Sequence, residues 1–324
     1  MGEPPTMQRY GMTIPFGLPL AEQEDLIKEM VDLGYTDFWS SESNGSDGFT
    51  PLVQASIWAP TARLGIAIIP AYTRGPALMA QTVGAMAEAA PGRFVMGIGT
   101  SSNVIVEQWN DIPFERPYYR TRDMVRFLKK ALTGDRIDEE FETFNVRGFR
   151  MGRPLKECPP ILVAALRQGM LRMAGREGDG AILNWLSPDD VKTVVPYVHE
   201  AGPGKEIAAR IFVIATEDKG VIDFVGKRSM AAYLNVPVYA AFHEWLGRRD
   251  VLGPMWDAWA AGDRKKALEV IPEEALRDIL IIGSPGKCRE RIQEYIEAGV
   301  HTPAIQIMHP GDDLRETIRA LAPG

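Results

Sequence analysis

"ILVAALRQGMLRMAGREGDGAILNW" occupies residues 161–185, and its reading decides the fold. An apolar run, Ile161 to Leu166, stops abruptly at Arg167-Gln168-Gly169. A short helical stretch follows and leads straight into a second apolar run, Ala181 to Trp185. Neither run alternates apolar with polar residues, so each is expected to be a strand covered on both faces. Two such strands joined by one helix make a parallel crossover unit, which is right-handed.

Six more runs of the same kind lie to either side. They are "YGMTIP" (10–15), "TDFWSS" (36–41), "RLGIAIIP" (63–70), "RFVMGIG" (93–99), "AARIFVIAT" (208–216) and "PAIQIM" (303–308). Helical patterns separate them. "LAEQEDLIKEMVDLG" (20–34) sets Leu26, Met30 and Leu33 on one face and stops at Gly34. "PALMAQTVGAMAEAAPG" (76–92) opens on proline and closes on Pro-Gly, and "TRDMVRFLKKALTG" (121–134) ends at Gly134. Eight covered strands, each followed by a helix, predict a (β/α)8 TIM barrel formed by residues 1–324 as one domain. Two connections are too long for simple crossovers. Residues 135–159, after strand 4, read as a small hairpin insertion. Residues 217–302, after strand 7, read as an insertion of several helices rich in Trp, Tyr and Met.

The net charge of −7 speaks against a broad nucleic-acid or anionic-membrane surface. No apolar run approaches the ~18 residues that span a bilayer. The opening "MGEPPTMQRYGM" is polar and Pro-rich, without a charged-then-apolar leader. Cys158 and Cys288 show no metal or redox spacing, so a reduced, cytoplasmic setting is expected. His199, His243, His301 and His309 are scattered, and no metal site is expected. No Gly-x-Ser-x-Gly nucleophile elbow appears.

The working face of such a barrel is the C-terminal end of its strands. Those ends carry Glu42 and Ser43, Ile69 to Tyr72, Thr100 to Asn103, Leu166 to Met170, Trp185 to Ser187, Glu217 and His309. So few acids and bases point to chemistry supplied by a cofactor. At 167–170 a strand gives way to a helix start with free N–H groups and a positive dipole end. Gly169 would let an anion approach the main chain, and Arg167 could add a bidentate contact to phosphate or carboxylate. The same residues equally suit a plain helix start with a flexible glycine. "GIGTSSN" (97–103) could admit a ring or phosphate, or be a polar turn; it lacks the third glycine of a dinucleotide fingerprint.

"DFWSSES", "RLGIAIIPAYTRGPALMAQTVGAMAEAAPGRFVMGIGTS" and "AGREGDGAILNWLSP" together resemble the bacterial-luciferase-like superfamily, and within it the coenzyme F420-dependent oxidoreductases. The resemblance runs from "YGMTIPF" to "AIQIM" and implies a barrel with a deazaflavin ring in its C-terminal mouth. It implies a non-prolyl cis peptide at Ala67-Ile68 supporting the ring, with Pro70 close by. It implies coenzyme contacts from Glu42, Thr100 and Ser101, and a phosphate loop at Leu166, Arg167, Gln168, Gly169 and Met170. Many relatives carry Asp-His after strand 2, where this chain has Glu42-Ser43. Glu42 can keep the hydrogen-bonding role there, but Ser43 cannot serve as an acid near neutral pH. Ser102 stands where some sugar-phosphate-oxidising relatives place a glutamate. The expected activity is hydride transfer between F420 and a small, uncharged or weakly charged organic molecule. The alternatives are an FMN-dependent monooxygenase fed by a partner reductase, and a non-catalytic flavin-binding paralogue. A homodimer is expected. Trp109, Tyr233, Tyr239, Phe242 and Trp245 would supply a roof to the pocket, with most of these rings expected to be core.

Overall fold

The computed structural model describes residues 8–15, 17–309 and 313–323; the polar opening, residues 1–7, lies outside them. The apolar runs become β1 (Gly11–Thr13), β2 (Asp37–Ser40), β3 (Arg63–Ile66), β4 (Ile69–Pro70) and β5 (Phe94–Gly99). After a hairpin of β6 (Ile137–Glu140) and β7 (Asn145–Phe149) come β8 (Ile161–Ala164), β9 (Gly180–Asn184), β10 (Glu206–Ile214), β11 (Ile281–Ile282) and β12 (Thr302–His309). Strands β12, β1, β2, β3, β5, β8, β9 and β10 pair in that order, all parallel, and β10 pairs back to β12. The sheet is therefore closed, an eight-stranded (β/α)8 barrel.

Two details depart from the run-by-run reading. The run at 63–70 is split into β3 and β4 around Ala67-Ile68, whose peptide bond is cis. The stretch 217–302 is also not wholly an excursion. Its last helix, Pro285–Glu297, packs on β12 and is the barrel's own crossover helix after β10. The hairpin β6–β7 is antiparallel and lies between the fourth and fifth barrel strands, within 135–159.

The outer helices include α1 (Glu24–Asp32), α2 (Thr50–Trp58), α3 (Pro76–Ala89), α4 (Pro117–Leu132), α5 (Gln168–Glu177) and α6 (Pro188–His199). Their starts differ in a way that matters. At α6, the Ser187 hydroxyl accepts from the Asp190 N–H while the Asp190 carboxylate accepts from the Ser187 N–H, a reciprocal cap that satisfies two orphan donors. The start of α5 has no side-chain cap at Arg167, so its first N–H groups have no side chain closing them off. Among the described residues no helix is long and apolar enough to cross a membrane.

Side chains alternate along a strand, so every second residue of each barrel strand faces the interior. At the N-terminal end these positions hold an ionic network. Arg63 donates to Glu206 at 2.6 and 2.5 Å and lies 3.6 Å from Asp37, and Thr302 donates to Glu206 at 2.7 Å. Burial pushes the Asp37 carboxyl up, against the pull of Arg9 and Arg63; for Glu206 the contacts with Arg63 outweigh burial and hold it down. One step further up, Trp39, Ala67, Val95, Leu162, Ile182, Ala208 and Ala304 form an apolar plug. Trp39 fits there because Gly11 and Gly65 lack side chains. A Cβ on Gly65 would sit 2.5 Å from the indole ring, and one on Gly11 would sit 3.0 Å from it.

Two stability predictions follow from these contacts. Gly65→Ala should overpack the plug and cost about 1–3 kcal/mol in urea unfolding. In a Trp39→Phe background the same change should cost clearly less, a coupling that a double-mutant cycle reads directly. The second concerns His243, which is fully buried in the helix Pro237–Trp245. Burial, and then Arg248, push its pKa from 6.5 down to about 3, against weaker upward pulls from the Trp185 main chain and Asp278. Below pH ~6.5 the unfolded chain takes up a proton that the folded chain refuses. Stability from this group is thus complete above that pH and falls by roughly 1.4 kcal/mol per unit as pH drops toward 3. Between pH 6.5 and 5.5, where the unfolded imidazole is only part way through its titration, His243→Leu should lose about 1 kcal/mol less than the parent chain in chemical denaturation. Equal losses would mean the ring is charged in the folded state.

Candidate functional site

Above the plug the interior opens into a cavity of about 1090 Å³ at the C-terminal ends of the strands. Its walls follow from strand alternation. Above interior Ile182, Ala208 and Ala304 come Asn184, then Arg210 and Phe212, and Gln306, and all of them line the cavity. The remaining wall comes from the loops after β2, β5 and β8 and from the helices Arg228–Leu234 and Pro237–Trp245 of the long excursion.

Glu42, Ser43, Ala67, Ile68, Thr100, Ser101, Ser102, Leu166, Arg167, Gln168, Gly169 and Met170 are brought together as lining residues. Pro70 is not: it is buried in β4, paired in register with Gly99, and faces away from the cavity. Ile69 and Tyr72, also named as strand-end residues, are likewise buried outside the lining. Glu217 is a surface residue that pairs with Lys287 at 2.7 Å, and Ser187 caps α6. The side chain of His309 lies outside the described residues.

The Glu42 carboxylate is already engaged. It accepts from Thr73 Oγ1 at 2.9 Å, from Arg74 at 2.8 Å and from the Gly48 N–H at 3.3 Å. It ties the loop after β2 to the loop after β4. Ser43 is exposed at the rim. The Ser102 hydroxyl accepts from the Ile105 N–H at 3.4 Å, and Ser101 is held at φ 62°. At the head of α5, Gln168 donates to the Tyr197 hydroxyl at 3.2 Å. Arg167 makes no ion pair with any described residue, and the position of a Cβ on Gly169 meets nothing within 4 Å.

Four of the five roof aromatics, Trp109, Tyr233, Tyr239 and Trp245, line the cavity; only Phe242 is core. The expectation that most of them would be core is therefore corrected. An inner aromatic stack was not anticipated: Trp185 lies 4.3 Å from Phe212 and 4.7 Å from Tyr233, ring centre to ring centre, in near-parallel planes. Asn184, Arg210 and Gln306 were missed as well. Asn184 donates to the Tyr239 hydroxyl at 2.7 Å and Arg210 to Gln306 at 3.3 Å. Burial pushes the Tyr239 phenol up to about 12, so it stays neutral and able to donate. One signal was available in the sequence. Within the apolar runs 180–185, 208–216 and 303–308, each of the three is the lone strongly polar side chain. No cluster of three or more potential metal ligands occurs among the described residues.

Comparison with known proteins agrees with this architecture. The chain is 25% identical over 326 residues to a 5,10-methylenetetrahydromethanopterin reductase of Archaeoglobus fulgidus, covering 97% of each chain. The coenzyme F420-dependent tetrahydromethanopterin reductase of Methanopyrus kandleri superposes with a TM-score of 0.78 at 20% identity, over 98% of each chain. The oxygenating constituent of a 3,6-diketocamphane monooxygenase from Pseudomonas putida, in complex with FMN, superposes with a TM-score of 0.67 at 16% identity, over 97% of each. The model of the luciferase-like monooxygenase family matches residues 3–302. On that match, with a closed parallel barrel and an open C-terminal mouth behind it, the chain belongs to the luciferase-like monooxygenase family.

Proposed function

We propose that the chain is an oxidoreductase that exchanges a hydride between coenzyme F420 and a small organic substrate. The observation that carries this reading is the uncapped start of α5 beside the unpaired Arg167, opening onto a large cavity. A helix N-terminus with a free guanidinium suits a phosphate, and the donor set fits the acidic tail of such a coenzyme. Arg167 and the main-chain N–H groups of Gln168, Gly169 and Met170 would hold that tail. Ala67, Ile68, Thr100 and Ser101 would back the ring. Glu42, clamped by Arg74, would keep the wall after β2 in place beside it. F420 supplies, when bound, a two-electron hydride carrier. The chain's own share is then to bind, orient and keep water out, and the aromatic roof serves the last of these. The relatives whose names specify F420 support this choice. The neighbour bound to FMN supports the second reading, a monooxygenase using reduced flavin.

Titration of the purified chain should show tight F420 binding and much weaker FMN binding. Arg167→Ala should weaken F420 binding about 10- to 100-fold, the range for losing one charge-assisted contact. Tight FMN binding without response to F420 would reverse the assignment. If Glu42→Gln and Ser102→Ala leave both binding and turnover unchanged, the roles given to the loops after β2 and β5 are wrong. We also propose that two copies associate. Ile57 on α2 and Leu78 on α3 are 73% and 55% exposed, on neighbouring helices, and such apolar surface favours a partner. Sedimentation should report a dimer, and Ile57→Lys with Leu78→Lys should yield a monomer.

A further inference from the structure

Among the charged residues that line the cavity, Arg210 is the one still without a role. Glu42 is neutralised by Arg74 at 2.7 Å, and Arg167 stands at the head of α5. Arg210 rises from β10 on the interior face, two residues above Ala208 of the plug. Among the described residues its polar partner is the uncharged Gln306 amide, and its guanidinium lies 5.2 Å from the centre of the Phe212 ring. Among the described residues no carboxylate is within ion-pair distance of it. A half-buried guanidinium on the wall of an open cavity has N–H groups beyond the one given to Gln306, and these can take a carboxylate in a bidentate contact.

We propose that Arg210, with Gln306 beside it, binds a carboxylate of the substrate, so that the organic molecule handled here is a carboxylic acid anion. The single positive charge fits a monoanion better than a phosphate. The stack of Trp185, Phe212 and Tyr233 beside it fits an apolar or aromatic body attached to that carboxylate. This narrows the expectation of an uncharged or weakly charged substrate to a monoanion. It rests on the reading of the chain as an F420-dependent oxidoreductase, and it assigns the two free cations of the mouth to two different ligands.

The test uses cinnamate and its neutral isostere cinnamamide as probes, with binding measured calorimetrically on the full chain both with and without saturating F420. F420 affinity is measured in a separate arm, so failure of the coenzyme reading shows there and leaves the carboxylate result to be judged alone. Cinnamate should bind at least 10-fold more tightly than cinnamamide. Arg210→Gln should abolish that preference, while F420 affinity stays within about twofold of the parent. Gln306→Glu, which sets a carboxylate beside the guanidinium, should abolish it too; Arg167→Ala should leave it intact. Equal binding of the two probes, no measurable binding of cinnamate, or a preference that survives Arg210→Gln overturns the proposal. So does an Arg210→Gln chain that loses F420 affinity as strongly as cinnamate affinity, since Arg210 would then serve the coenzyme.

Discussion

The indole of Trp39, lodged inside the barrel, is the constraint on which the rest depends. Eight strands enclose an interior just wide enough for side chains to fill, and here one large ring takes up much of one level. It can do so only where neighbouring strands contribute nothing: Gly11 and Gly65 approach the ring edge to edge, and Ala208 and Ala304 complete the level. With this level filled, the space above need not be. Ala67, Ile68 and Ile182 belong to the plug and also line the cavity, so the plug is its floor. Gly97 continues the logic, since a Cβ there would meet the Ile66 carbonyl oxygen at 1.7 Å.

The two ends of the interior treat charge in opposite ways. At the closed end Arg63 is held by Glu206 and faces Asp37, with Thr36 and Thr302 donating to those carboxylates. Such a network is tolerable in a low-dielectric setting because its opposite charges are paired. At the open end, four residues along the same face of β10 from Glu206, Arg210 has an amide and an aromatic ring instead. The strand thus carries an ion-paired charge at one end and, at the other, one without an ion pair among the described residues. Under the proposal above, a substrate carboxylate would supply the counter-charge there.

Much of this was legible in the residues, and the part that was not has a physical reason. Runs such as 161–166 and 180–185 lack alternation because both faces are buried, and that property marks barrel strands. The uncapped Arg167-Gln168-Gly169 was likewise visible as a helix start without an N-cap residue. Asn184, Arg210 and Gln306 escaped because a single polar residue in an apolar run carries no periodicity of its own. Its meaning depends on which face points inward, and that is set only when Ile182, Ala208 and Ala304 meet Trp39. The engagement of Glu42 was hidden for a related reason. Arg74 lies 32 residues away, and only the turn after β4 brings the two together. The aromatic roof was seen as composition but misjudged, because helices outside the barrel can pack their rings inward over the mouth as readily as against each other.

The spacing of these features around the rim suggests how the mouth divides its work. The loops after β2, β5 and β8 include small residues such as Thr100, Ser101 and Gly169, where the proposed planar coenzyme would lie close to the backbone. Strands β9, β10 and β12 contribute long polar side chains from the barrel itself, rooted in rigid strands and packed against Trp185 and Tyr239. Rigid placement limits the entropy lost when such side chains engage a ligand. A hydride donor and its acceptor must be held face to face with little freedom, because transfer requires reacting atoms near contact. One side of the rim open to close approach and the other carrying fixed polar side chains is the division that the proposed transfer between two molecules would need.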